Sequence, residues 1–238
     1  IISYGGKIKS VDIATGDVAE IPFEAEVDVP MGPAAHFEYA VDEGPVLARR
    51  IEHPSLSPDG RHAAFVAFDR VWVKDLLDGE VRALFDTGTD QFFPAWSPDG
   101  LWVAFSTWSD LEGGDIYRAR VDGTQAIRLT QEKAFYERLA FTPDGQRIVA
   151  GKGPRSQRIA FVDELERGRA QSTELVWISS LGGSLTTITR LNVSTRWSYT
   201  HYGQPHFNED GSRIFLLDPL EGLVSFLWDG SDRQNVLN

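Results

Sequence analysis

The sequence predicts an all-β protein, a β-propeller of four-stranded antiparallel blades. Three observations point there: a turn motif that recurs, the period of its recurrence, and the apolar strands that flank each copy. The fullest copy is Gln91-Phe92-Phe93-Pro94-Ala95-Trp96-Ser97-Pro98-Asp99-Gly100, leading into Leu101-Trp102-Val103-Ala104-Phe105-Ser106. It returns as Ser57-Pro58-Asp59-Gly60, as Thr142-Pro143-Asp144-Gly145 and, without its proline, as Asn208-Glu209-Asp210-Gly211. The copies begin at intervals of 40, 45 and 66 residues, and a period near 40 made of strands is a propeller signature.

Each turn has a physical reason. Proline fixes φ for the first turn position, aspartate accepts from nearby backbone N–H groups, and glycine takes φ > 0 at little cost. Asp59, Gly60, Asp99, Gly100, Asp144, Gly145, Asp210 and Gly211 are therefore assigned structural turn roles. A strand before and a strand after such a turn make a hairpin.

In chain order, strands are expected at Lys7 to Asp12 and Val18 to Phe23, half a blade, with Ile1 to Tyr4 as a frayed addition. A long connection, 24–50, follows, broken by Pro30, Gly32, Pro33, Gly44 and Pro45. The first whole unit has strands near 52–57, 61–68, 71–77 and 81–86, and the second near 92–97, 101–107, 115–121 and 126–130. The third, near 137–142, 146–151, 174–180 and 185–191, is interrupted by a second long insertion, 153–173, in which Val162 to Ala170 has room for one or two helical turns. The fourth uses 203–208, 212–217, 222–228 and 232–237. The reading is one propeller domain, or a fragment of one, over 1–238: four blades and a half-blade, with six or seven in the complete ring. The opening Ile1-Ile2-Ser3-Tyr4 reads as the middle of a strand, so further sequence is expected to finish the ring.

Repeat positions with large side chains are expected in the core: Leu56, Trp96, Phe141 and Phe207 before the turns, and Trp72, Tyr117 and Trp177 in third strands. Buried packing is favoured over a sugar-binding stripe. In an up-and-down sheet alternate connections emerge at opposite ends. The tight Asp-Gly and Gly-Gly turns share one end, and the long connections 24–50, 108–114, 153–173 and 192–202 share the other, where binding surfaces usually lie.

The composition narrows function. A formal net charge of −12 argues against nucleic acid and anionic membrane as partners. No apolar run approaches the roughly 20 residues of a membrane helix. The absence of cysteine removes disulfides, zinc fingers and thiol nucleophiles. No nucleophile elbow, phosphate-binding glycine loop, His-Glu-x-x-His or His-x-His occurs, so no catalytic residue, cofactor or metal site is assigned. The nearest metal-like grouping is His53, His201 and His206, with His36 more remote. The acidic loop Asp110, Glu112, Asp115 has no fixed calcium-ligand spacing, and a solvated loop is the favoured reading.

The elaborated end is asymmetric in charge. Segment 24–50 holds six acids against Arg49 and Arg50, whereas segment 151–173 holds five basic residues against three acids. With Arg155, Arg158, Arg196, Trp197, Tyr199 and Tyr202, the two arginines make a candidate face for a protein partner or a linked domain, being of the types enriched at interfaces.

The Ser-Pro-Asp-Gly copies, Pro94-Ala95-Trp96 and Ile127-Arg128-Leu129-Thr130 resemble the repeat of TolB-type propellers, to which tricorn-type propellers are related. Ile21-Pro22-Phe23-Glu24-Ala25-Glu26-Val27, Ala48-Arg49-Arg50-Ile51, Gly113-Gly114-Asp115-Ile116 and Gly222-Leu223-Val224-Ser225 are similar to the propeller portion of large bacterial amidohydrolase-like proteins. That resemblance implies a noncatalytic propeller beside a metal-dependent hydrolase barrel, in a periplasmic or secreted protein. It would gate the barrel's active site or dock a partner. A standalone periplasmic interaction propeller is the alternative. None of the barrel's ligand motifs is present, so the resemblance transfers no catalytic residue.

Overall fold

The computed structural model describes residues 1–28, 44, 46–156, 172–191, 203–218 and 220–237. All nineteen elements assigned among them are strands. Contacts divide the chain into Ile1–Val46 and Leu47–Asn238, so the boundary falls inside the predicted 24–50 connection.

The first unit holds three antiparallel strands, β1 (Ile2–Tyr4), β2 (Lys7–Val11) and β3 (Val18–Ile21), in sequential order. The two predicted strands of the half-blade are present, and the expected frayed addition at Ile1 to Tyr4 is paired as β1. Gly5 and Gly6, at φ 62° and 71°, close the β1–β2 hairpin in the two-residue geometry that needs positive φ twice.

The second unit is four blades. Blade I is β4 (Glu52–Leu56), β5 (His62–Ala67), β6 (Arg70–Asp75) and β7 (Val81–Ala83). Blade II is β8 (Asp90–Trp96), β9 (Trp102–Trp108), β10 (Ile116–Arg120) and β11 (Ala126–Arg128). Blade III is β12 (Phe135–Phe141), β13 (Arg147–Gly153), β14 (Glu174–Ser179) and β15 (Thr186–Arg190). Blade IV is β16 (His206–Phe207), β17 (Ile214–Asp218), β18 (Gly222–Phe226) and β19 (Gln234–Leu237). Every blade is a meander of antiparallel neighbours, and the predicted strands fall within a few residues of these. Val162 to Ala170 lies outside the described residues.

The core lies between blades, because alternate residues of one strand face opposite neighbours. In β9, Val103 and Phe105 pack with Val66, Val73 and Leu84 of blade I's side, while Ala104 packs with Tyr136 and Ile148 of blade III's. In β13, Ile148 faces blade II, whereas Val149 joins Ile214, Leu216 and Phe226 of blade IV. Both sheet faces are therefore apolar, and the strands read as near-continuous hydrophobic runs.

Trp96 and Phe141 occupy this core, at 8% and 9% exposure, and Phe207 packs against it. Leu56, at the same repeat position, is 65% exposed. It was expected in the core, but it sits on the outer face of blade I, where this unit supplies no further blade. Trp72, Tyr117 and Trp177 are half-buried flanks rather than core centres. Tyr117 stacks on Phe105 at 5.9 Å, and the Trp72 Nε1–H donates to the Ala67 carbonyl at 2.8 Å.

The recurring turn is a side-chain device as much as a backbone one. Ser97 Oγ accepts from the Trp102 N–H at 2.9 Å and donates to Asp99, whose Oδ1 accepts from the Leu101 N–H at 3.0 Å. Ser57 with Asp59, and Thr142 with Asp144, repeat the arrangement. In the degenerate copy, Asn208 Oδ1 takes over, accepting from the Arg213 N–H at 2.8 Å. The hydrogen bonds from Ser57 and then the Arg61 N–H hold the Asp59 carboxyl below its usual value, and those from Thr142 and Gln146 do the same for Asp144.

Proline has a second role, visible only in three dimensions. A Cβ at Gly145 would stand 3.5 Å from Pro98, and one at Gly211 would stand 3.5 Å from Pro143. Each of these turn glycines meets the proline of the preceding blade's turn.

Candidate binding site

Opposite the tight turns, the inner strands β4, β8 and β12 lie side by side, and each carries the same irregularity. Pairing with the second strand slips between Glu52 and Ser55, between Phe92 and Ala95, and between Glu137 and Ala140. One extra residue on the inner strand makes a β-bulge. In all three the residue that opens it has positive φ without being glycine: His53 at 50°, Phe93 at 53° and Arg138 at 55°. Such backbone costs about 1–3 kcal/mol and concentrates at ligand sites.

These residues converge on one cavity of about 90 Å³, lined by His53, Phe93, Arg138 and Gln204 together with Pro54, Ser55, Pro94 and Leu139 that follow the first three. His53, Phe93, Arg138 and Gln204 each stand four residues before a turn's first residue, Ser57, Ser97, Thr142 or Asn208. The cavity is therefore built from one repeat position, sampled once per blade.

Its walls are fixed from behind. The rings of His53 and Phe93 are 4.1 Å apart. Gln204 Nε2 donates to the Leu139 carbonyl at 2.6 Å, tying blade IV's leading segment to the blade III bulge. Beside Arg138, the buried Glu137 accepts from both the N–H and the Oγ–H of Ser172, at 3.1 and 2.7 Å. Phe92 and Phe93 also pack against Trp108 and Phe135, which meet edge to face at 6.0 Å. Burial pushes the His53 imidazole below its usual pKa; Glu52 opposes this, while Arg138 and Arg50 add to it.

The histidines separate in this geometry. His53 lines the cavity, but the position equivalent to it in blade IV is Gln204, and His206 sits two residues further on, exposed. His201 and His36 lie outside the described residues. Among the described residues no group of three or more His, Cys, Asp or Glu could hold a metal ion.

In the acidic loop Asp110 and Glu112 are exposed, as expected of a solvated loop, whereas Asp115 is buried and neutralised. Asp115 is 2% exposed and accepts from Lys133 Nζ at 2.7 Å and Thr130 Oγ1 at 2.9 Å, while Glu112 lies 3.6 Å from the same lysine. An ammonium group thus stands among these acids. Sequence reading missed it because Lys133 is distant from the loop in the chain.

Of the candidate interaction residues, Arg49 and Arg50 are exposed, and Arg50 pairs with Glu52 at 2.6 Å. Arg155 donates to the carbonyls of Asp110 and Leu111, so it braces the 108–114 loop. Arg158, Arg196, Trp197, Tyr199 and Tyr202 lie outside the described residues. A larger open concavity, about 580 Å³, lies on the β2–β3 hairpin against Lys7, Ile8, Glu20 and Phe23. Lys7 pairs with Glu20 there at 2.8 Å, and Glu24 adds a further acid to the lining.

Blades of this construction make the chain a β-propeller, and the fold is similar to that of TolB proteins. The solved structure of a putative TolB from Agrobacterium tumefaciens superposes with a TM-score of 0.59 at 16% identity, over 79% of this chain and 62% of that one. A chain of the nidogen/laminin complex gives 0.53 at 13% identity, over 77% and 63%. In sequence, 123 residues, 50% of this chain, are 30% identical to a TolB homolog of Chlorobium luteolum, covering 27% of its length. A stretch of 145 residues is 23% identical to the uncharacterized peptidase YuxL of Bacillus subtilis, 55% of this chain and 21% of that protein. The chain thus spans about a quarter of the curated relatives it matches. No protein-family model matches it.

Proposed function

We propose that this chain is a noncatalytic interaction propeller that docks a protein partner at its long-connection end. We further propose that it does so within a larger amidohydrolase-like protein, where it shapes access to a neighbouring active site. The observation that carries the reading is the cavity at the inner ends of the blades. The scaffold places a strained residue there in three successive blades, yet the side chains differ: an imidazole, a phenyl ring and a guanidinium. A purely structural bulge has no need of that diversity. The likeness to TolB proteins supports an interaction role, and that to a peptidase supports a hydrolase setting. A standalone periplasmic interaction propeller is the second reading, favoured by the TolB resemblance alone.

The test uses the hydrolase region as a separately expressed polypeptide and asks whether this chain retains it on a column. Arg158→Glu with Arg196→Glu, in the 153–173 and 192–202 connections, should abolish retention, and Glu80→Lys in a tight turn should leave it intact. The opposite pattern would place docking at the wrong end. Retention by neither variant nor the unaltered chain would favour the standalone reading.

A further inference from the structure

We infer that the inner-strand cavity receives a single carboxylate from the partner, either a chain terminus or an acidic side chain, with Arg138 as its cationic receptor. The inference rests on the reading of the chain as an interaction propeller and supplies the chemistry of what is recognised.

Arg138 is the cation of this cavity, and among the described residues nothing pairs with it. Its Nε is buried without a hydrogen-bond acceptor, a condition native proteins rarely leave unmet. The other arginine in that condition, Arg118, has another role: its guanidinium lies 4.2 Å from the Trp102 ring. Among the described residues no such ring contact accounts for Arg138. The acids on either side are already engaged, Glu137 by Ser172 and Glu52 by Arg50.

The receptor is also preorganised. Arg138 sits in a bulge at φ 55°, anchored on one side through Glu137 and on the other through the Gln204 bond to Leu139. Among the described residues nothing takes the second N–H of the Gln204 amide, which stands beside a guanidinium whose planar fork matches a carboxylate. Pro54 and Pro94 present apolar wall without backbone donors, and the His53–Phe93 pair closes one side.

Size and charge restrict the ligand further. About 90 Å³ admits a carboxylate and a carbon or two. The chain's net charge of −12 repels a polyanion or an acidic tract at long range. One carboxylate, met at short range, is what this site can select.

The experiment needs no partner, so it can fail independently of the docking assignment. The arginine Nε–Hε resonances of the 15N-labelled chain are followed at pH 7 while N-acetylglycine, a minimal chain terminus, is added. N-acetylglutamate α-amide, a minimal acidic side chain, is titrated in parallel, with N-acetylglycinamide as the neutral control. A saturable shift of the Arg138 resonance with either acid and not with the amide is expected, and the tighter acid identifies the source. Arg138→Gln should weaken binding at least tenfold, read on the neighbouring Gln204 side-chain amide, while Arg118→Gln should leave it unchanged. No saturable shift, an equal response to the amide, or tighter binding of inorganic phosphate overturns the inference. The Arg138 resonance of the unaltered chain decides the matter even if Arg138→Gln fails to fold.

Discussion

At the tight-turn end of the four blades, Ser57, Ser97 and Thr142 offer a hydroxyl and Asn208 an amide oxygen, and each presents it to the same backbone N–H, five residues on. At the other end, His53, Phe93, Arg138 and Gln204 share one repeat position and have no chemistry in common. The contrast separates two kinds of repetition. Where the backbone depends on a side-chain acceptor, only residues able to supply one recur. Where the bulge sets the backbone, the side chain is released for whatever the cavity must recognise. Even the copy that lost its proline, Asn208 to Gly211, keeps the acceptor and the positive-φ glycine, here at 68°.

The largest effect should come from the cavity end, at a residue that holds scaffold rather than ligand. Gly114, in the β9–β10 connection, bridges blade II to the start of blade III by exchanging backbone hydrogen bonds with Ala134. A Cβ there would collide with the Thr107 carbonyl and stand 2.8 Å from the Ala134 carbonyl. Gly114→Ala should destabilise by about 3 kcal/mol in urea titration, since both obstacles are backbone. A loss below about 1 kcal/mol would mean that this bridge is not part of the rigid frame.

A matched pair then sets the two ends against each other. Gly100→Val, at φ 70°, should cost about 1–3 kcal/mol from forced positive φ. Arg138→Asn places a residue that tolerates this backbone where a long cation stands at φ 55°, and should change stability by less than about 1 kcal/mol in either direction. Equal losses at both sites would show that the bulge side chains are as structural as the turn glycines, and the contrast would collapse.

The smallest effect is acid sensitivity of the tight-turn end. The hydrogen bonds from Thr124, first its hydroxyl and then its N–H, hold Asp122 down to about 2, from 3.8, and Asp59 and Asp144 are lowered by the same kind of contact. Because the unfolded carboxyls bind protons more tightly, these groups contribute fully above about pH 4 and lose their contribution as pH falls toward 2. Stability should therefore decline through that window, and Asp122→Asn should flatten the decline. A stability that rises on acidification between pH 4 and 2 would contradict the turn electrostatics.

Much of the scaffold was legible in the sequence because its determinants are local. Pro-Asp-Gly after Ser or Thr specifies its turn within about six residues, and strands apolar on both faces announce burial between blades. Those two signals located all sixteen strands of blades I to IV. The β1 strand was less legible, since Gly5-Gly6 carries no flanking apolar alternation to announce a hairpin. The candidate site was legible only in fragments. His53 stood out by residue type, but Phe93, Arg138 and Gln204 entered only as members of the expected strands 92–97, 137–142 and 203–208. Nothing within one blade shows that a position before the bulge faces its counterparts, because that juxtaposition arises from the lateral packing of inner strands whose turns lie 40 and 45 residues apart. The pairing of Lys133 with Asp115, and the seating of each turn glycine on the preceding blade's proline, were decided by tertiary structure for the same reason: sequence specifies each blade's own geometry, and blade-against-blade packing determines which side chains meet.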